Sequence, residues 1–140
     1  MTPQKVISMN FWAVGIGGIL GSLSRYLLGL ALTGYWGDFF PYGTLAVNLI
    51  GSLCLSFLVY GSMLKWQLPR PLLLAVTTGF MGSFTTFSTF SVEVLNLLLD
   101  GQAGLALLYV LISTIAGLGL AGLGIYLAAK LYQASDSAAK

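Results

Sequence analysis

Charge is scarce in this sequence. Its 140 residues include six Lys or Arg and four Asp or Glu, 7% of the chain, against about a quarter in a typical soluble domain. So few charges leave too little polar surface to cover a water-soluble globule, and the chain reads as an integral membrane protein of one domain. Histidine is absent, which excludes His-based acid/base chemistry and His-ligated metals. The one cysteine, Cys54, cannot form an intrachain disulfide and lies in an apolar run, where it reads as a small buried hydrophobe. The net charge of +2 comes from too few residues to suggest a nucleic-acid partner.

What is abundant is apolar sequence, 57% of the chain. A transmembrane helix needs about 20 apolar residues, and four segments qualify: residues 10–32, 43–64, 71–99 and 103–132. They make one four-helix transmembrane domain over residues 1–132, with a polar, frayed tail expected at 133–140. Lys5 before the first run resembles a signal-peptide start, but the run is longer than an h-region of about 7–15 residues and contains Arg25, so it is read as a retained span. Trp12, Tyr35, Trp36, Trp66 and Tyr132 fall near span ends, where aromatic belts form. An even number of spans puts both termini on one side. That side carries Lys5, Lys65, Arg70, Lys130 and Lys140, and the opposite loops carry Asp38 and Asp100. The positive-inside rule places the termini in the cytoplasm.

The third span is too long for one plain crossing of about 30 Å of hydrocarbon. Gly79, Gly82 and Ser83 lie in its middle, and a break near Gly82 is expected, since glycine is costly inside a helix and permissive outside one. The other reading is a tilted or curved continuous helix running on into a loop. Non-helical backbone at that depth must be buried in protein or line a wet cavity.

Polar residues then recur at helical spacing. Thr44, Asn48, Ser52, Ser56 and Tyr60 fall on one face of the second span, and Tyr109, Ser113, Gly117 and Ala121 on one face of the fourth. Gly17, Gly21, Arg25 and Gly29 do the same in the first. Hydroxyls in membrane helices often bond their own i−4 carbonyl, and small residues at i, i+4 usually pack helices; packing is the reading for the first span. Asn48 differs, because its amide carries two donors and an acceptor that lipid cannot satisfy. A polar lining shared by the second and fourth spans is therefore expected. In "GFMGSFTTFSTFSVE" (79–93), a helical wheel over 84–91 places Phe84, Phe87 and Phe90 on one face and Thr85 and Thr89 on the other, with Thr86 and Ser88 on the flanks. Ring edges carry partial positive charge. Ring edges, hydroxyls and an amide together form a weakly electropositive lining that attracts an anion without trapping it, the balance conduction requires.

"GGILGSLSR" (17–25), "GTLAVNLIG" (43–51) and "TGFMGSFTTFSTFSVE" (78–93) resemble the Fluc (CrcB) fluoride channels, and with the span count the resemblance covers nearly the whole chain. It implies an all-α membrane protein with four transmembrane helices, a broken third helix and an antiparallel, dual-topology dimer with two fluoride pores. It also implies passive export of fluoride across a prokaryotic plasma membrane, and resistance to fluoride toxicity. Carried over, Phe87 and Phe90 present ring edges to fluoride and Asn48 is the pore amide. Ser88, Thr89, Tyr109 and Ser113 form a polar track, and Arg25 and Glu93 are vestibule charges. The backbone carbonyls of Gly82 and Thr85 hold a structural sodium ion at the dimer interface. Gly117 stands where a further track serine is expected. The charge bias departs from what a chain inserting both ways needs, so an antiparallel paralogue is the alternative to an antiparallel homodimer.

Three other classes fit the sequence less well. A proton-coupled multidrug exporter wants an acid in an early span, and the first two spans have none. A scaffold subunit would use the polar stripes for packing alone. An intramembrane enzyme lacks His, paired carboxylates and a base beside Cys54.

Overall fold

The computed structural model describes residues 3–64 and 68–138. Lys65, Trp66 and Lys140 lie outside the described residues. Among the described residues every regular element is helical, in the order α1 (Pro3–Trp36), α2 (Tyr42–Leu64), α3 (Arg70–Leu74), a π-helical turn (Ala75–Met81), α4 (Gly82–Phe84), α5 (Ser88–Leu99) and α6 (Ala103–Ala138). Four segments are long and apolar enough to cross a membrane: Ile7–Trp36, Tyr42–Leu64, Arg70–Leu99 and Ala103–Ala134. The tail expected to fray instead continues α6 to Ala138. No proline or glycine follows Gly124 to stop the helix, and Ala, Lys, Leu and Gln are strong helix formers.

The connections are short and use glycine where backbone demands it. Gly37 ends α1 with φ 78°, and its N–H donates to the Thr33 carbonyl at 2.8 Å. Gly101 has φ 74°; its N–H donates to Leu98 and that of Gln102 to Leu97, at 3.1 and 2.8 Å. This is the Schellman pair of bonds, with glycine at C′. Proline opens the third span, as expected: Pro71 lies in the first turn of α3, where its missing N–H costs nothing.

Packing pairs α2 with α6 and α1 with the π turn. Both contacts are made through glycine. A Cβ on Gly17 would strike the Ala75 carbonyl oxygen, and one on Gly21 the Phe80 carbonyl oxygen, so the glycine stripe of α1 is a surface for close backbone approach. On the other pair, a Cβ on Gly124 would strike the Ser56 hydroxyl. Two small clusters fill the interior. Val47, Met81 and Phe84 form one, with Cys54 packed against it; Phe40, Leu97, Ala106 and Tyr109 form the other, with Phe90 against it. Cys54 is thus an ordinary packing residue. Much of the apolar surface faces outward, including Phe11, Ile19, Leu118 and Phe87.

Candidate functional site

The site begins with Asn48. From the second turn of α2 its side chain holds the backbone of Thr86 on both sides: the Thr86 N–H donates to Asn48 Oδ1 at 2.8 Å, and Asn48 Nδ2 donates to the Thr86 carbonyl at 2.9 Å. Around that clamp the backbone leaves the helix. α4 ends at Phe84, Thr85 is extended at φ −81°, ψ 158°, and α5 begins at Ser88. Gly82 itself is helical, with φ −63° and ψ −28°, so the departure falls three residues beyond the expected position. The reason is a long-range bond: backbone N–H groups at this depth need a partner, and Asn48 of α2 supplies one at Thr86.

The departure also redistributes the aromatic rings. Phe84 is buried at 6% exposure in the Val47 cluster, whereas Phe87 is 79% exposed. One helical wheel over 84–91 therefore does not describe the run. Phe87 and Phe90 remain neighbours, with centroids 5.8 Å apart and planes at 34°. Phe90 packs on Tyr109 at 4.9 Å and 57°, and Phe40 meets Tyr109 edge-on at 5.3 Å and 73°. The rings thus run continuously from the exposed Phe87 to the fully buried Tyr109.

A hydroxyl chain runs beside them. Thr86 Oγ1 donates to Thr89 Oγ1 at 3.0 Å, lies 3.3 Å from Ser88 Oγ and accepts the Thr89 N–H at 3.2 Å. Further along α5, Glu93 takes one hydroxyl on each carboxylate oxygen: Thr44 Oγ1 donates to Oε1 at 2.7 Å and the Tyr109 hydroxyl to Oε2 at 2.8 Å. Ser113 Oγ, one turn beyond Tyr109, is buried with no hydrogen-bond partner among the described residues.

Three cavities open on these residues. One of about 380 Å³ is lined by Asn48, Ser52, Gly82, Thr85, Thr86 and Phe87, among others. One of about 420 Å³ lies at the loop end, between Asp38, Asp100, Gln102 and Glu93. In the third, of about 220 Å³, Arg25 shares the wall with Thr44, Thr86 and Thr89.

The polar stripe of α2 is divided by this geometry. Ser52 Oγ donates back to the Asn48 carbonyl at 2.9 Å and Ser56 Oγ to the Leu53 carbonyl at 3.0 Å, so both satisfy themselves within their helix. Thr44 and Asn48 instead reach the third span. A Cβ on Gly117 would stand 3.8 Å from Ser52 Oγ, which makes the α2–α6 contact here a packing surface beside the first cavity. Two residues outside the sequence-derived site set emerge as its hubs, Thr44 and Thr86. Thr44 stands one helical turn before Asn48 on the same stripe, a signal present in the sequence. Nothing in the sequence singles Thr86 out from Thr85, Ser88 and Thr89.

The sequence pattern of the family described as "CrcB-like protein, Camphor Resistance (CrcB)" matches residues 12–125. Among similar proteins, "Fluoride-specific ion channel FluC 1" of Bacillus cereus strain ATCC 14579 is 46% identical over 121 residues, covering 86% of this chain and 84% of that one. "Fluoride-specific ion channel FluC" of Syntrophotalea carbinolica is 45% identical over 123 residues, 88% of this chain and 100% of the relative. "Fluoride-specific ion channel FluC 2" of Listeria innocua is 47% identical over 116 residues, 83% and 88% of the two chains. With a match over most of its length and relatives at this identity, the chain belongs to the CrcB-like family of multi-pass membrane proteins.

Proposed function

We propose that the chain is a fluoride-specific ion channel that lets fluoride leave the cytoplasm passively and so protects against fluoride toxicity. The names of its relatives support this reading. The geometric observation that carries it is the ring pair. Phe87 stands outside the chain's own packing, at 79% exposure, against Phe90 and beside the hydroxyl chain of Thr86, Ser88 and Thr89. An exposed ring next to hydroxyls at membrane depth suits an anion path completed by a second chain. Fluoride would shed part of its hydration shell to ring edges, to the second N–H of the Asn48 amide, and to the hydroxyls of Ser88, Thr89 and Ser113; the Tyr109 hydroxyl, whose one hydrogen goes to Glu93, would border the track without donating to the ion. The buried, unpartnered Ser113 hydroxyl has a hydrogen to offer. Arg25 and Glu93, both beside Thr44, would act as vestibule charges. With the cell interior negative, the outward drive on an anion is about 2.3 kcal/mol per 100 mV, and no coupled ion is required.

The second chain is proposed to lie antiparallel, giving a dual-topology homodimer. One observation favours a second reading, an antiparallel paralogue: by the span order, every basic residue except Arg25 falls on one side, and relatives carry the numbers 1 and 2. A sodium ion is proposed at the interface, on the carbonyls of Gly82 and Thr85. The residues suit it. In an unbroken helix those carbonyls would accept the N–H groups of Thr86 and Thr89, but those N–H groups go to Asn48 Oδ1 and Thr86 Oγ1. Gly82 is exposed and borders the same cavity as Thr85. Unwound carbonyls are hard oxygen ligands suited to an alkali cation, which would supply the positive charge that ties two such segments together.

Fluoride efflux from liposomes holding the purified protein, read with an electrode and with chloride as control, tests the reading. Rapid efflux of fluoride without chloride is expected. A folded dimer in sodium that passes neither ion overturns it in favour of a scaffold subunit.

A further inference from the structure

We propose that Asn48 and Thr86 are positioning residues for the cation, holding the Gly82 and Thr85 carbonyls open by capturing the two N–H groups that would otherwise close on them. The inference rests on the sodium site proposed above and assigns it a supporting layer. No contact of either side chain with the ion is required.

The bonds form an ordered pair. Asn48 Oδ1 accepts from Thr86 N–H at 2.8 Å, and that N–H is the helical partner of the Gly82 carbonyl. Thr86 Oγ1 accepts from Thr89 N–H at 3.2 Å, and that N–H is the helical partner of the Thr85 carbonyl. The second bond, in which a threonine oxygen accepts the N–H three residues on, has the form of a helix N-cap bond, made at the start of α5 from the residue before Phe87. Asn48 also donates to the Thr86 carbonyl at 2.9 Å. This fixes the peptide in both directions and presents Thr86 Oγ1 to α5. Thr86 itself is buried at 8% exposure.

Both amides are held by side chains of this chain, so the open carbonyls are built in before any ion arrives. Without the captures, the Thr86 and Thr89 amides at membrane depth would seek the nearest acceptors, which are the same two carbonyls. The device extends from α2 to α5: Asn48 on one helix sets the acceptor geometry on another. Serine at 86 keeps the capturing oxygen and valine, nearly the same size, removes it.

The test reads cation affinity from stability. A ligand that binds the folded state raises its melting temperature with concentration, so the full-length protein in detergent is melted across a NaCl titration, with N-methylglucamine chloride holding ionic strength constant. The wild type and Thr86→Ser are expected to share one apparent sodium affinity. Thr86→Val and Asn48→Ser are expected to weaken it by about tenfold or more, the range for loss of a group that orients a metal's ligands. Wild-type sodium affinity in both variants overturns the positioning role. A wild type indifferent to sodium fails the cation site itself and is read before the variants. Should neither variant fold, amide exchange of the wild type decides. Slow exchange at Thr86 and Thr89 with and without sodium is expected. Protection that appears only with sodium overturns a built-in device.

Discussion

At the scale of single residues, the chemistry is carried by side chains that do two things at once. Asn48 spends its oxygen and one N–H on the Thr86 backbone and lines a cavity beside it. Replacing it with aspartate preserves an acceptor for the Thr86 N–H but sets a carboxylate against the Thr86 carbonyl, a repulsion that water cannot relieve. It also puts a fixed negative charge on an anion path. Asn48→Asp is expected to abolish fluoride efflux from liposomes, and an aspartate variant that still conducts removes Asn48 from the path. The phenylalanines are tested by shape. Isoleucine at 87 or 90 retains bulk and removes the ring edge, and fluoride efflux is expected to fall roughly tenfold or more, equal to about 1.4 kcal/mol on the barrier. Phe87 is the cleaner position, because its ring is 79% exposed and little of the chain's own packing depends on it. Phe90→Ile also removes the contact with Tyr109, so its folded dimer is verified first. Unchanged efflux in both variants ends the ring-edge proposal.

At the scale of elements, glycine decides where helices touch, and two glycines of α1 give opposite expectations. A Cβ on Gly21 would meet the Phe80 carbonyl oxygen, which is backbone, whereas one on Gly15 would meet nothing within 4 Å. Gly21→Ala is expected to lower the melting temperature, at a cost of about 1–3 kcal/mol typical of overpacking. Gly15→Ala is expected to leave the melting temperature unchanged or raise it, with a gain in stability of up to about 1 kcal/mol, the helix-propensity difference. Thermal unfolding in detergent compares them; equal effects would mean that α1 does not approach the π turn so closely. The four spans and the packing role of the α1 glycines were legible in the sequence, because apolar length and small-residue spacing are local properties. Asn48 was legible for the same reason, as an amide lipid cannot satisfy. The π turn over Ala75–Met81 was not, since its sequence, AVTTGFM, holds no signal separating it from an α-helix. The departure at Thr85–Phe87 rather than Gly82 was not either. Local sequence offers glycine as the weak point, but the bond that displaces the backbone comes from a residue 38 positions away.

For the whole molecule, charge and architecture pull in different directions. An antiparallel homodimer needs one sequence to insert both ways. Orientation follows the distribution of Lys and Arg in short loops and near span ends. Here Lys5, Lys65, Arg70, Lys130 and Lys140 share one side, while the opposite loops carry only Asp38 and Asp100. Arg25, in the far half of α1, is the one basic residue able to offset the bias; it is half-buried beside Thr44 and Thr89. The exposed apolar surface, Phe87 included, needs either lipid or a partner. A partner drawn from the same gene product must come from a population of opposite orientation. Ser137, exposed near the end of α6, reports that population. Ser137→Cys in a Cys54→Ala background is treated in intact cells with a membrane-impermeant thiol reagent, and total thiol is counted after lysis. The homodimer reading expects close to half of the chains to be labelled from outside. Labelling of almost none fixes the C-terminus in the cytoplasm and makes an oppositely oriented paralogue necessary. Fluoride efflux by the protein expressed alone should then be absent, and restored when that paralogue is expressed with it.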